Sequence, residues 1–527
     1  MSTPVLSRRQ LLQLASAIGV TTSGSMLLPQ LARAARQEDS APTGSVNWAI
    51  DTDPVSIVPY GSSSTSNMWG KEFIYDSLLE WDKDLNIQPA LAESYEAAPD
   101  ATSYLFNLRA GVTFHDGRPL TAADVKYSLD LTLNPLAPVV ASPYLANIAE
   151  VVVIDDATVR IDMSKSDPTI PGILAWQRMT PIFPEGIADE INLLSEGIGT
   201  GPFKLIEYIT NERLEFEAFA DYWKPGIPCI QNLTLQVVPE PQTRVALLRS
   251  GEIDGGTFGP DIAVTLEGDE DLEVLNGLTS SPRTIYVNMA KDVPWRDARV
   301  RQAVSKTIDR QVIIDNVYAG YAELTGPIPP GYGDWPLSPD VLAEHYAVDI
   351  EGAKALMAEA GLEDGFAVEM IAISSPREYT QIAEIIAEQL KQINIDVSVV
   401  PQEIGTFVES INSEFSWAST GGGMRGDPSG YFSVFRSSDD GTFPIFYGDG
   451  WKSDEMDQLY DQALTTSDQA ERNALYQQLQ ELVLAENPFL YTVQSLKFQV
   501  VNRRLSGMYV AYTDFNTGLR EACVTED

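Results

Sequence analysis

The stretch "YLFNLRAGVTFHDGRPLTAADVKYSLD", Tyr104 to Asp130, changes its period twice. Tyr104, Phe106 and Leu108 alternate with Leu105, Asn107 and Arg109, the two-residue period of a half-buried strand. Ala110-Gly111 turns that strand, and "VTF" makes a short return strand. Asp116-Gly117 in "HDGRP" supplies a second tight turn, because Gly accepts positive φ at no steric cost. "LTAADVKYSLDLTL" then opens a helix, with Thr121 as N-cap and Asp124 three residues on, a capping box with the shorter acid. One of the two histidines of the chain, His115, lies here beside Asp116. A general base needs an aligned partner and a substrate pocket. The signals around His115 concern shape, so the expectation is a structural histidine.

The rest of the chain extends this picture. It has 527 residues, 44% hydrophobic and 9% aromatic, enough to build packed cores in several structural units. The formal charge of −40 excludes nucleic-acid binding through phosphate contacts. An acidic surface keeps a chain soluble and fits a saline medium, and it names no ligand. "VNWAI" from Val46 reads as a first strand. A Ser-rich loop follows, then a helix start that Ser66 or Asn67 caps, with Phe73, Ile74, Ser77 and Leu78 facing inward. "AKALMAEAGL" is a helix ended by Gly361. "FAVEMIAI", "TQIAEIIAEQLKQI" and "DVSVVPQE" form a β-α-β unit, the building block of a parallel sheet.

The first residues read as an export signal. Arg8 and Arg9 precede an apolar run from about Leu11 to Leu28, and Ala32 and Ala34 flank a cleavage point. The paired arginines and the Gly, Ser and Thr diluting the run resemble a twin-arginine signal over residues 1–34, followed by a polar lead-in over 35–44. Its removal takes away Arg8, Arg9 and Arg33 and no acid, deepening the charge from −40 to −43. No cysteine near that point offers a lipid anchor, and no later stretch is long and apolar enough to span a bilayer. The two cysteines, Cys229 and Cys523, are expected to form a disulfide in an exported protein.

Enzyme signatures are missing from the sequence. It has no G-x-S-x-G elbow, no H-E-x-x-H and no C-x-x-C. Two separated histidines, His115 and His345, make no metal site, and Asp439-Asp440 reads as a solvated pair. The expectation is a binding protein without cofactor or metal.

"LFNLRAGVTFHDGRPLTAADVKYSLD" closely resembles the signature of the family 5 extracellular solute-binding proteins, the oligopeptide-, dipeptide- and nickel-binding receptors of ABC importers. "IQPALAESYE", "GTGPFKLIEY", "TRVALLRSGEIDGG" and "IYVNMAKDVPWRDARVRQAVSKTIDRQVII" resemble further family segments, in the family's order. The resemblance implies an α/β, periplasmic-binding-protein-like fold of class II, cluster C type: two lobes joined by a hinge, with an extra inserted domain. It places 45–80, 200–277 and 497–527 in one discontinuous domain, 81–199 in the insertion and 278–496 in the second lobe. On that layout Cys229 and Cys523 share a domain. The implied partners are a small organic solute, peptide or oligosaccharide-like, and the transmembrane permease subunits with their ATPases. The implied state is a monomer outside the cytoplasmic membrane.

In peptide-binding relatives an acid before a "DP" step pairs with the peptide amine. Here "WASTGGGMRGDPSGYF" has Gly421, Gly422 and Gly423 in that region, which speaks against simple carry-over of peptide recognition. The resemblance brings Ser66, Asn67, Trp69, Trp176, Trp417, Gly422, Gly423, Arg425, Asp427 and Tyr431 to the ligand. For each tryptophan core packing stays open beside ligand contact. Arg425 suits a carboxylate or phosphate, or is a solvated loop residue. Asp427 is a substitute acid or a turn-former. Opine-like sugar conjugates, an exported hydrolase and a sensor that docks on a membrane receptor remain rival functions.

Overall fold

A computed structural model describes residues 41–54, 57–59, 68–133, 145–176, 180–423, 425–436, 451–513 and 515–525. Ser66, Asn67, Asp439, Asp440 and the export signal lie outside the described residues.

One eleven-stranded mixed sheet runs through both halves of the molecule. On one side the parallel strands Thr43–Ile50, Ile230–Val237 and Gly255–Phe258 lie beside the hairpin Phe203–Ile209 and Arg213–Ala218. On the other, Phe366–Ile373 pairs in parallel with Ile395–Gln402 and with Trp417–Gly421. The helix Glu378–Leu390 covers the crossover between the first two, completing the expected β-α-β unit. Its Thr380, Ile382, Ala383, Ile386, Ala387 and Leu390 are buried, the stripe that a 3.6-residue period predicts.

Two long strands join the halves. Leu272–Val287 and Phe489–Asn502 pair antiparallel along nearly their whole length. Their register slips between Leu278 and Pro282 and again before Thr284. Pro282 brings no N–H to the ladder, so the slip falls where the strand is weakest. In the bulge, the Ser280 N–H donates to Tyr512 O at 2.9 Å. The joint is therefore a locally unpaired point in otherwise continuous strands, the kind of place where a hinge bends.

A four-stranded antiparallel sheet stands apart: Ala92–Ala97, Ser103–Leu108, Thr158–Met163 and Ile148–Asp155. Tyr104, Phe106 and Leu108 are buried as their alternation requires. The return strand read in "VTF" is only a single bridge, Thr113 to Pro119, because the closely spaced turns on either side leave no room for a ladder. Asp124 completes half of the capping box. Its Oδ2 accepts the Thr121 N–H and the Thr121 hydroxyl, both at 2.8 Å. The helix after the first strand covers only Met68–Ile74, yet Phe73, Ile74, Ser77 and Leu78 are all buried.

His115 is buried within this framework. Its Nε2–H donates to Gly201 O at 2.9 Å, its Nδ1 faces the Gly199 N–H at 3.5 Å, and its own N–H donates to Gly199 O. It thus clamps the "GTGPF" turn to the "HDGRP" turn, and its ring meets Phe219 edge to face. Burial lowers its pKa from 6.5 to about 4, so it is neutral at neutral pH. Cys229 and Cys523 are disulfide-bonded, holding the C-terminal strand Cys523–Val524 to the chain segment before Ile230. Among the described residues no helix is long and apolar enough to cross a membrane, and no cluster of three metal-ligating side chains occurs.

Candidate functional site

The parallel strands of both halves point their C-terminal ends at the bulge, where open α/β sheets hold ligands. A cavity of about 250 Å³ lies there. From one half come Ile50-Asp51 at the end of the first strand, Trp69 and Gly259-Pro260; from the other, Arg283, Tyr318 and Glu378. The crossover itself supplies Thr279, Ser281, Ser495 and Lys497, and the C-terminal segment adds Asn516. Of the roomier hollows, those of about 780 and 770 Å³ are each lined from one half alone, while one of about 420 Å³ is lined from both but lies away from the crossover.

Arg283 organises the wall. Its Nε donates to Glu378 Oε1 at 2.9 Å, Nη1 to Ser281 O at 2.6 Å and Ser281 Oγ at 2.8 Å, and Nη2 to Ser495 Oγ at 3.2 Å. Its guanidinium lies 5.0 Å from the Tyr379 ring. Burial alone would push the guanidinium down, but the Glu378 carboxylate beside it reverses this and holds it raised, fully charged. Glu378 is held by that pair through Oε1 and lines the cavity wall. The site therefore presents a held carboxylate, a lysine, an indole and several hydroxyl and amide groups.

Behind Asn516 sits Glu72, fully buried on the helix Met68–Ile74. Its Oε1 accepts the Asn516 N–H at 3.1 Å. Burial raises its pKa to about 8, against the pull of Asn516, Lys497 and Arg520.

The residues expected at the ligand fall in different places. Trp69 lines the cavity, half-buried. Gly422 lies outside the lining and is bonded to its neighbour: its N–H donates to Pro282 O at 2.9 Å, and its carbonyl accepts from Oγ of the lining residue Ser281 at 3.1 Å. A side chain at Gly423 would meet open space, whereas one at Gly421 would strike the Tyr379 hydroxyl at 2.9 Å. Trp417 is placed in the core instead, edge-on to Trp295 and Phe366, because it faces the helix-covered side of its strand. Trp176 is buried beside a small hollow near the Asp76–Arg520 ion pair. Tyr431 is buried edge-on to Tyr332, and the Arg425 carbonyl accepts the Tyr332 hydroxyl at 2.9 Å. Asp427 is taken up by structure: Oδ1 accepts from Arg472 Nη2 at 2.6 Å and from the Ser429 N–H at 2.9 Å, capping the turn Pro428–Tyr431. Arg283, Glu378 and Lys497 are site residues that sequence reasoning missed. A charged residue directly before the strand-forming run "TIYV" was the available signal for the first.

Two α/β halves that share crossing strands and enclose a polar cavity at the crossing define a two-lobed solute-binding protein. The chain belongs to the bacterial extracellular solute-binding proteins, family 5, whose middle region matches residues 86–443. It is similar to the glutathione-binding protein GsiB of Escherichia coli (strain K12), 26% identical over 483 residues that cover 88% of this chain and 91% of that one. Among solved structures it is similar to AgaA of A. tumefaciens R10 bound to agropinic acid (TM-score 0.80, 24% identity, 92% and 99% of the two chains). It is also similar to DppA of Helicobacter pylori bound to the peptide STSA (TM-score 0.79, 24% identity, 92% and 98%). The protein is thus a solute-binding receptor of the ABC-importer type.

Proposed function

We propose that the crossover cavity holds a small peptide-like solute and that the halves close over it without altering it. The observation that carries this is Glu378, a carboxylate fixed by Arg283 on the wall of the cavity between the halves. A peptide α-amino group pairs there, doing what the glycine run Gly421–Gly423 has no side chain to do. The solute carboxylate turns toward Lys497, and its body lies against the Trp69 ring. A cavity of about 250 Å³ suits a di- or tripeptide rather than a long one. The curated relatives named for glutathione agree in ligand size. Hydroxyls from Thr279, Ser281 and Ser495 beside an indole also favour a sugar-derived amino acid conjugate, as does the agropinic acid in AgaA.

Closure follows from differential affinity: a ligand touching both halves favours the arrangement in which both touch it. The moving bodies are 45–80 with 200–277 and 497–527, carrying the insertion 81–199, against 278–496. The receptor hands its solute to permease subunits outside the cytoplasmic membrane, after export by the twin-arginine route and without a lipid anchor. The disulfide supports an oxidising compartment.

Calorimetry with glutathione, with Met-Leu and with N-acetyl-Met-Leu tests this. Free-amine peptides bind, acetylation weakens them at least tenfold, and Glu378→Gln does the same to the free-amine forms only; tenfold is about 1.4 kcal/mol. Equal binding of acetylated and free peptides by the native protein would remove Glu378 from the proposed role. Peptide recovered intact after incubation excludes turnover, and cleaved peptide overturns the receptor reading.

A further inference from the structure

A second cavity, about 420 Å³, lies between the four-stranded-sheet region and the far half of the molecule, away from the crossover. Its walls come from both sides. Trp81 and Tyr95 face it from one, Tyr332 and Trp335 from the other. Trp81 sits in the hairpin Leu79–Trp81 with Ile87–Pro89, directly across from Ile87, whose side chain is exposed at 38% although apolar. Trp335 is braced from behind, edge-on to Tyr476, and Tyr332 by its hydroxyl on the Arg425 carbonyl. The rings are therefore held in place before anything binds.

The slot is electrically neutral. Among the described residues, Asp427 and Arg472 are the only charged ones in its lining, and they are bonded to each other at 2.6 Å. The Arg472 guanidinium is further used by Ala463 O at 3.0 Å and the Tyr476 hydroxyl at 3.0 Å. A charged ligand would lose hydration here and find no counter-charge. Uncharged hydrogen-bonding groups, Asn86, Ser467 and Gln469, stand around the apolar rings. Aromatic rings on both walls with polar groups among them receive a ring whose faces are apolar and whose rim carries hydroxyl or amide groups.

We propose that this slot is a second ligand subsite, taking one neutral ring of that kind, such as a tyrosyl group or a pyranose. Since each half supplies two of the four rings, an occupant favours the closed arrangement. The subsite stands apart from the reading of the crossover cavity and survives if Glu378 proves irrelevant there.

Saturation-transfer NMR on the folded, exported form tests it, with N-acetyl-L-tyrosinamide and methyl β-D-glucopyranoside as probes. At least one probe shows transfer, and which one does separates a peptide side chain from a sugar as the source. Trp81→Ala weakens that probe by about tenfold. Ser467→Trp, at an exposed rim position, blocks the mouth without touching the packed rings, so its effect does not depend on how well Trp81→Ala folds. No transfer from either probe overturns the subsite. So does transfer that persists in both variants, or transfer that only Trp69→Ala abolishes, since that places the probe at the crossover.

Discussion

Gly172 and Gly426 meet backbone to backbone across the two sides of the molecule: a Cβ on Gly172 would stand 2.2 Å from the Gly426 carbonyl oxygen. A Cβ on Gly426 would press on Ile173 Cα at 3.0 Å. Gly172 lies in the short helix Ile170–Leu174 and Gly426 at the turn before Asp427. Neither contact can relax by turning a side chain, because the obstructing atoms are main chain. Gly172→Ala is therefore expected to hold the sides apart and penalise closure, while leaving the open form untouched. Affinity for a bound peptide should fall at least tenfold, about 1.4 kcal/mol. The unliganded melting temperature should stay close to the native value, within about the range of neutral surface changes. Calorimetry and small-angle scattering check this; unchanged affinity would mean that the contact plays no part in closing.

The His115 clamp gives stability a particular slope with pH. Its folded pKa is depressed to about 4, against 6.5 when the chain is open. The unfolded chain therefore binds a proton first, and the stability that neutral His115 confers is present above about pH 6.5 and drains away as pH falls toward 4. The full effect is about 3 kcal/mol, since a tenfold difference in proton affinity between the folded and open chains corresponds to about 1.4 kcal/mol. Denaturant titrations of native protein and His115→Gln should converge as pH drops through this window. A gap that stays constant from neutral to acid pH would show that the imidazole does not titrate there.

Glu72 has the opposite sign. Its pKa is raised from 4.5 to about 8 because burial disfavours the carboxylate more than Asn516, Lys497 and Arg520 favour it. The folded state then holds its proton longer, so the contribution is complete below about pH 4.5 and is lost as pH rises toward 8. Glu72→Gln keeps a neutral amide at the same place and removes that slope. It should gain on the native protein by several kcal/mol between mildly acid and mildly alkaline pH. Parallel melting curves over the same range would contradict a protonated Glu72.

How far the sequence shows the fold depends on whether the deciding signal is local. The strand at Tyr104, the turn at Gly117, the cap formed by Asp124 and the β-α-β unit around the helix Glu378–Leu390 follow from periods and turn chemistry within a few residues. The joint does not, because it needs Leu272–Val287 to meet Phe489–Asn502 far along the chain, and only that pairing reveals the slip at Pro282. The site was partly hidden for the same reason. Glu378 opens a helix and looks like an ordinary first-turn acid until Arg283, 95 positions earlier, comes to lie against it. Trp69 was legible because it follows a first strand, and ligands gather at such strand ends.

Trp417 marks the limit of motif reasoning. It precedes the glycine run, but the pleat turns it the other way, into contact with Trp295 at 5.6 Å between ring centroids. Trp417→Ala should thus behave as a core truncation, costing about 3–5 kcal/mol. Chemical denaturation measures the loss, and calorimetry at a temperature where the variant is folded should show near-native affinity. Weakened binding with unchanged stability would return this residue to the ligand.

The bridge between Cys229 and Cys523 closes a span of 294 residues. It also fastens the two-stranded pair Leu505–Ser506 and Cys523–Val524 beside the first strand, where a side chain at Gly44 would touch Val524 at 3.1 Å. The C-terminal segment in between carries Asn516, which lines the crossover cavity and contacts Glu72, and Arg520, which pairs with the buried Asp76. Cutting the bridge frees the end of this segment and enlarges the unfolded ensemble, a combined loss of about 2–4 kcal/mol. Cys229→Ser with Cys523→Ser should lower the melting temperature and become insensitive to added reductant, while the native protein falls to the same value when reduced. Because Asn516 lies nearer the loosened end than any other cavity residue, peptide affinity should weaken together with stability. A reduced native protein that melts and binds as before would show that the surrounding packing alone holds the segment in place.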